Sequence, residues 1–262
     1  HTATGTGETD SAMSRLSLIW DGAWLTWTTF KEGDVGRREI SRPDMVPEVL
    51  RALRNQVGAG AQVVHGEWGQ PATAMPQALL PESNKESCLA QWHELHHGLL
   101  DKGHEVFTAT LEELMDAPQI AVASSGLWQD AVDGVFPQAR HIPLVQALIH
   151  DVVTWNRGLS HEGWSFRVDV REQGAVLVAA KGEALQWVHH LAPGLESDDV
   201  LYAMVNAAHR SGADVHQARV RWSGSQALTV GWDRFLHVER VGDQEAQPHT
   251  WLPLLQSMMA CA

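Results

Sequence analysis

Several kinds of residue and segment are scarce in this chain of 262 residues. It has two cysteines, Cys88 and Cys261, and a single tyrosine. Two cysteines so far apart do not resemble a disulfide framework or a zinc knuckle, and reduced thiols of a cytoplasmic protein are the simplest interpretation. No apolar run approaches the roughly 20 residues that cross a bilayer. No basic start precedes an apolar segment either, so we expect no direct membrane insertion and no secretion signal.

Positive charge is also scarce. Asp and Glu number 32 against 19 Lys and Arg, which gives a formal net charge of −13. The excess of negative charge repels phosphate backbones and anionic membrane surfaces. Because the sequence has no run of basic residues that could bind a phosphate backbone locally, we expect no binding to nucleic acid. The hydrophobic fraction of 44% predicts a packed globular protein. Protein partners are the remaining class that we expect.

The common catalytic signatures are absent, with one exception. The chain contains no Gly-x-Ser-x-Gly elbow, Walker A loop or Rossmann fingerprint. The exception is HELHH, in which His93 and His97 share one helical face and Glu94 could polarise a metal-bound water. A third ligand is lacking at a suitable spacing, since His104 follows without the glycine turn of such sites, and the chain has 15 histidines. We therefore predict solvent-facing histidines and no metal there.

A meander, a helix and a strand follow one another twice along the sequence. In the first half a strong Asp-Gly hairpin signal separates two apolar strands, and the predicted elements are strands Leu16–Trp20, Trp24–Phe30, Arg37–Ile40 and Gln62–Gly66, with a helix from Pro43. The second half repeats this order with strands Trp164–Val170, Ala175–Ala180, Leu185–His189 and Ala218–Trp222. Ser197 is the predicted N-cap of the helix between the last two strands. A hairpin of Leu228–Trp232 with Arg234–Val241 and a helix Trp251–Met259 complete the chain.

This order predicts an α/β protein of two duplicated βββαβα lobes, of the actin-like (ribonuclease H-like) kind, around a central cleft. The predicted divisions are a disordered tail at 1–13, an N-terminal lobe at 14–157 and a C-terminal lobe at 158–262. The repeat lies in element order and not in residue identity, so an unrelated pair of α+β lobes is the alternative.

Three segments resemble an uncharacterised bacterial family, DUF3822, in order and spacing. The matching positions are Met75-Pro76 to Leu79, Phe136-Pro137 to His141, and Ser197-Asp198-Asp199 to Leu201-Tyr202. The resemblance extends over most of the chain from Ser14. It implies an actin-like ATPase fold with no established activity and no assigned catalytic residue. It also implies an architecture similar to the actin-like cytoplasmic components of pilus and secretion assemblies.

The two turns that would hold phosphates are incomplete. Such turns need glycines, so that backbone N–H groups reach the phosphates, and a carboxylate to orient Mg²⁺. Asp21 and Gly22 are present in the first turn, but the following hydroxyl is missing and bulky Trp24 closes it. The second turn puts Glu172 where a phosphate would sit, and Gly224 is the single glycine on the adenosine side. Asp21, Gly22 and Gly224 are therefore weak, vestigial nucleotide positions.

These features leave three hypotheses of function. The first is a non-catalytic actin-like scaffold that binds protein partners in the cytoplasm and needs no cofactor. The second is a divergent ATP-binding protein or kinase, with Asp21 at Mg²⁺ and Gly224 near the adenosine. The third is a zinc hydrolase that uses His93, Glu94 and His97.

Overall fold

The first lobe is built on a mixed five-stranded sheet. The computed structural model describes residues 14–30, 34–242 and 249–262, so the predicted tail at 1–13 lies outside the described residues. The sheet has the order β3-β2-β1-β4-β8. Its strands are β1 Arg15–Trp20, β2 Trp24–Thr28, β3 Val35–Glu39, β4 Gln62–Glu67 and β8 Arg140–His141. β1, β2 and β3 form an antiparallel meander, whereas β4 runs parallel to β1 and β8 parallel to β4.

The second lobe repeats this topology. Its sheet has the order β11-β10-β9-β12-β13. The strands are β9 Trp164–Arg171, β10 Gly174–Lys181, β11 Ala184–Leu191, β12 Arg219–Gly224 and β13 His237–Arg240. Again the first three form an antiparallel meander and the last two run parallel to the first. The predicted duplication is confirmed.

Helices cover both faces of each sheet. The outer faces carry α1 Val46–Val57 and α3 Gly126–Val135 in the first lobe, and α5 Ser197–Arg210 in the second. Between the two sheets lie α4 Leu144–Leu159 and α6 Leu252–Ala260, which pack on each other in a core shared by both lobes. Side chains alternate across β1 accordingly: Leu16 and Leu18 face the outer helices, and Ile19 faces the shared core.

A small subdomain is inserted between β4 and α3. It consists of strands β5 Ala72–Met75, β6 His104–Thr110 and β7 Gln119–Ser125, with helix α2 Lys85–His97. The antiparallel sheet has the order β5-β7-β6, so β5 and β6 are its edges. The predicted lobe boundary at 157/158 falls in the last turn of α4, and the second sheet begins at Trp164. None of the described helices has the length and apolar character of a membrane span.

Two local predictions in the second lobe are wrong. Glu196, and not Ser197, is the N-cap of α5, because its side chain and that of Asp199 form a reciprocal capping box. The Ser197 hydroxyl instead donates to the carbonyl of Val230. The predicted C-terminal hairpin is replaced by 3-10 turns at Gln226–Thr229 and Trp232–Arg234. The turns carry the chain across the lobe so that β13 pairs parallel to β12 and not back on itself.

Candidate functional site

The first predicted phosphate turn joins β1 to β2, and its carboxylate is already engaged. Asp21 Oδ1 accepts hydrogen bonds from the backbone N–H groups of Ala23 at 3.1 Å and Trp24 at 2.7 Å. Its Oδ2 lies 3.3 Å from the guanidinium of Arg37, and the Asp21 side chain is only 2% exposed. Gly22 adopts a φ of +93°, which a tight turn requires of glycine. Asp21 therefore braces its own turn and pairs with a strand neighbour.

The same Arg37 connects this turn to the C-terminal segment. Its guanidinium carbon lies 4.7 Å from the ring centre of Trp24 and 5.5 Å from that of Trp251. Trp251 is 1% exposed, and from the other lobe it has the Arg171 guanidinium at 3.8 Å. Cation–π distances of this kind are attractive. A buried indole with one guanidinium from each lobe thus links the two predicted phosphate turns through its contacts.

The second predicted turn, residues 169–174, lies where β9 meets β10 and includes Arg171. This side chain donates to both carboxylate oxygens of Asp169, at 2.7 and 2.8 Å, and to the hydroxyl and carbonyl oxygens of Thr250, at 3.2 and 3.1 Å. Glu172, placed by the sequence at the phosphate position, points to solvent as an exposed residue. Arg171 therefore ties the second lobe to the start of the C-terminal helix.

Asp169 is the centre of a fully buried polar cluster. It accepts hydrogen bonds from the indole N–H of Trp68, at 3.0 Å, and from the Ser223 hydroxyl, at 2.5 Å. Trp68 follows β4 of the first lobe, so this bond crosses between lobes. Burial alone would raise the pKa of Asp169, but the charges of Arg171 and Arg167 and the hydrogen bonds it accepts hold that pKa below its ordinary value. Asp169 is an anion that holds the two lobes together.

Gly224, the predicted adenosine-side position, has a packing reason to be glycine. Its φ is +104°, and a Cβ atom there would lie 2.0 Å from the carbonyl oxygen of Val170 on the neighbouring strand. Beside it the described residues form a cavity of about 140 Å³, with Thr250 and Arg240 in its wall. Pockets for drug-sized ligands are generally ~300–1,000 Å³. Gly224 permits two strands to approach closely.

The HELHH residues lie at the end of α2, where they contact β5. His93 is fully buried, with Nδ1 3.2 Å from the Thr73 hydroxyl, whereas the Nε2 atom of the exposed His97 is 3.3 Å from the Ala72 carbonyl oxygen. The pKa of His93 is lowered to about 4, mainly by burial and to a lesser extent by the nearby charge of His97. The expectation that these histidines face solvent is wrong for His93. No cluster of three or more metal-binding side chains occurs in the described ranges.

The sequence pattern placed Asp169 and Arg171 in the second predicted phosphate turn, residues 169–174, and did not identify them as residues that join the lobes. Arg167, Asp169 and Arg171 alternate with valines in an almost wholly buried strand segment, RVDVR. A charged pair at positions i and i+2 of a buried strand must find partners inside the protein. That pattern is a usable signal, but it does not name Trp68, Thr250 or Trp251 as those partners.

No family model and no curated protein sequence matches this chain, so membership of DUF3822 stays a prediction. Solved structures do match. A Bacteroides thetaiotaomicron VPI-5482 protein with actin-like ATPase fold and unknown function has a TM-score of 0.71 and 12% identity, over 95% of this chain and 97% of that one. A PilM–PilN type IV pilus biogenesis complex gives a TM-score of 0.58 and 11% identity, over 94% and 98%.

A third similar structure is the cytoplasmic domain of EpsL, an inner-membrane component of the type II secretion system of Vibrio cholerae. Its TM-score is 0.50 at 9% identity, over 94% of this chain and 95% of that one. Identities this low establish shape alone. Together with the duplicated sheet topology, the likenesses lead to one conclusion: this chain has the actin-like ATPase fold.

Proposed function

We propose that this protein is a non-catalytic member of the actin-like fold class that works by binding a protein partner and requires no nucleotide. The observation that carries the proposal is a continuous series of contacts between the protein's own side chains, from the first predicted phosphate turn to the second. Trp251 lies near Arg37 of one lobe and Arg171 of the other. Asp21, the carboxylate expected to orient Mg²⁺, is already paired with Arg37.

Binding of a nucleotide there would require several of these contacts to break. A triphosphate between the two turns would compete with Asp169 and Thr250 for Arg171, whose side chain is 2% exposed. Leaving Asp169 buried without that partner is costly, because a charge in the interior is stable only when it is paired. The partner-binding side of the proposal draws support from two similar structures, a pilus biogenesis complex and a secretion-system component.

The second candidate, a divergent ATP-binding protein, is favoured by the fold and by the two guanidinium groups near the cleft. Thermal unfolding with and without Mg-ATP separates the two. A ligand at 100 times its Kd raises the free energy of unfolding by about 2.7 kcal/mol, which corresponds to roughly 5–10 °C in Tm for a chain of this size. We expect no shift at millimolar Mg-ATP.

A reproducible rise in Tm with Mg-ATP, absent with Mg²⁺ alone, would contradict the proposal. The matched control is Asp21→Asn, since a rise that depends on the cleft must shrink in this variant. The same assay with zinc, or with a chelator, tests the hydrolase hypothesis. Stoichiometric zinc in the purified protein, lost in a His93→Phe variant, would restore that hypothesis.

A further inference from the structure

A groove of about 500 Å³ separates the inserted subdomain from the second lobe. Its walls include residues 72–76, along β5, and residues 185–190, along β11. Successive side chains of a strand point to opposite faces of its sheet. Walls made of consecutive residues therefore mean that the groove runs along the two strand edges, where the main chain is accessible.

Both strands are sheet edges. β5 ends the order β5-β7-β6, and β11 ends the order β11-β10-β9-β12-β13. An edge strand presents a row of N–H and C=O groups that the sheet does not pair. The groove thus lies between two sets of main-chain donors and acceptors, one from each side of the molecule.

The orientation of the β5 groups follows from the histidine contacts. The Ala72 N–H donates to Nε2 of His190 at 3.1 Å, and its carbonyl oxygen lies 3.3 Å from Nε2 of His97. Both groups of Ala72 therefore point away from β7. In an antiparallel pair this direction alternates, so the N–H and C=O of Ala74 point the same way. Within the described part of the chain neither group of Ala74 has a partner outside the sheet ladder.

The side chains of the groove define the ligand further. The apolar ones include Met75, Leu185 and Val188, and the titratable ones are all histidines, at positions 96, 97, 189 and 190. Among the residues that the structure describes, no Asp or Glu lines the groove, although the chain has 32 of them. A basic peptide would find no carboxylate to pair with in this groove, whereas apolar and acidic side chains meet no repulsion.

We infer that an extended peptide of a protein partner, apolar and neutral or acidic, binds in this groove as a β-strand added to the free edge of β5. Main-chain hydrogen bonds to Ala74 supply the register, and the apolar wall of Leu185 and Val188 receives alternate side chains. At its closed end the His190–Ala72 contact joins the subdomain to β11 and limits the length of the added strand. The inference rests on the proposed function, since it specifies how the partner binds.

The test uses the full chain and a display library of random twelve-residue peptides. Selected peptides are measured against the wild type, Ala74→Pro and Ala74→Ser. Proline removes the N–H and is tolerated at an edge, whereas serine keeps the N–H at similar size. We expect at least a tenfold weaker Kd for Ala74→Pro, unchanged binding for Ala74→Ser, and selected sequences that are apolar and acidic with few prolines.

Hydrogen exchange on the wild type provides a second measurement if Ala74→Pro does not fold. Bound peptide should slow amide exchange at Ala74 and leave exchange in β6, the other edge of the same sheet, unchanged. Three results would overturn the inference. They are equal peptide affinity for the wild type and a folded Ala74→Pro variant, amide protection confined to other surfaces, and the absence of any selected peptide with a Kd below about 100 µM. A dimer of the wild type that Ala74→Pro abolishes would also overturn it, because a second copy would then occupy the edge. If no peptide binds at β5 and Mg-ATP does not raise the Tm, only this inference fails and the proposed function stands. A rise in Tm with Mg-ATP contradicts the proposed function itself.

Discussion

Replacement of Arg171 by Met tests whether the buried ion pair holds the lobes together. In the wild type the Arg171 side chain is 2% and that of Asp169 0% exposed, and their shortest contact is 2.7 Å. The substitution removes two hydrogen bonds to Asp169, two to Thr250 and the stacking on Trp251. Breaking a buried pair by removing one partner costs about 3–5 kcal/mol. We expect a loss in the free energy of unfolding within that range at pH 7.

A double variant isolates the pair from the packing around it. Asp169→Asn with Arg171→Met keeps an acceptor for Trp68 and leaves no unpaired charge, so its destabilisation should be smaller than the sum of the two single losses. Urea unfolding followed by tryptophan fluorescence measures all four proteins. The control is Arg157→Met, which removes a solvent-exposed pair with Glu183 and should leave the unfolding midpoint unchanged.

The pH dependence of the same variant has a defined sign. In the wild type the lowered pKa of Asp169 contributes stability above the unfolded-state pKa of about 3.9, and that contribution is lost as pH falls through the folded-state pKa. Without Arg171 the largest charge that lowers this pKa is gone, while burial still raises it. The gap between wild type and variant should therefore narrow in acid. Two results would refute the proposed role of the buried ion pair. One is a loss of stability in Arg171→Met below about 1 kcal/mol, which is the value of an exposed pair. The other is a loss in the double variant that equals the sum of the two single losses.

Two further predictions concern buried histidines and the turn glycines. Burial lowers the pKa of His65 to about 3 and that of His141 to about 4, so the unfolded chain takes up protons below pH ~6.5 that the folded state refuses. Below that value the free energy of unfolding should fall as the pH falls, by up to about 1.4 kcal/mol per pH unit for each histidine. The His65→Phe variant should therefore flatten the plot of urea midpoint against pH. An unchanged slope in this variant would contradict the prediction. In Gly22→Ala the added Cβ meets no neighbouring atom within 4 Å, so the variant should lose only about 1–2 kcal/mol of stability through backbone strain. Gly224→Ala adds a clash with Val170 and should lose clearly more stability in the same urea assay. Equal losses would mean that the close approach of the two strands is not what requires glycine at position 224.

The cleft residues show how far local sequence patterns reach. Asp21-Gly22 between apolar runs identified a hairpin, and the structure has strands β1 and β2 on either side of it. The same dipeptide did not reveal that Asp21 pairs with Arg37, because that contact depends on how β3 returns beside β2. No strand was predicted at Ala72–Met75 (β5), because four residues between Pro71 and Pro76 carry too little periodicity to be recognised.

By itself the sequence determined the duplicated order of meander, helix and strand and the acidic, globular character of the chain. Those properties follow from periods of two and 3.6 residues and from composition, which act over short stretches. Only the tertiary structure decided which residues of the two lobes contact one another. Trp68 reaches Asp169 across 101 residues of sequence, and Arg171 reaches Thr250 across 79. Such partners become neighbours only when two sheets pack around shared helices, so the contacts between the lobes and the edge position of β5 belong to the folded molecule.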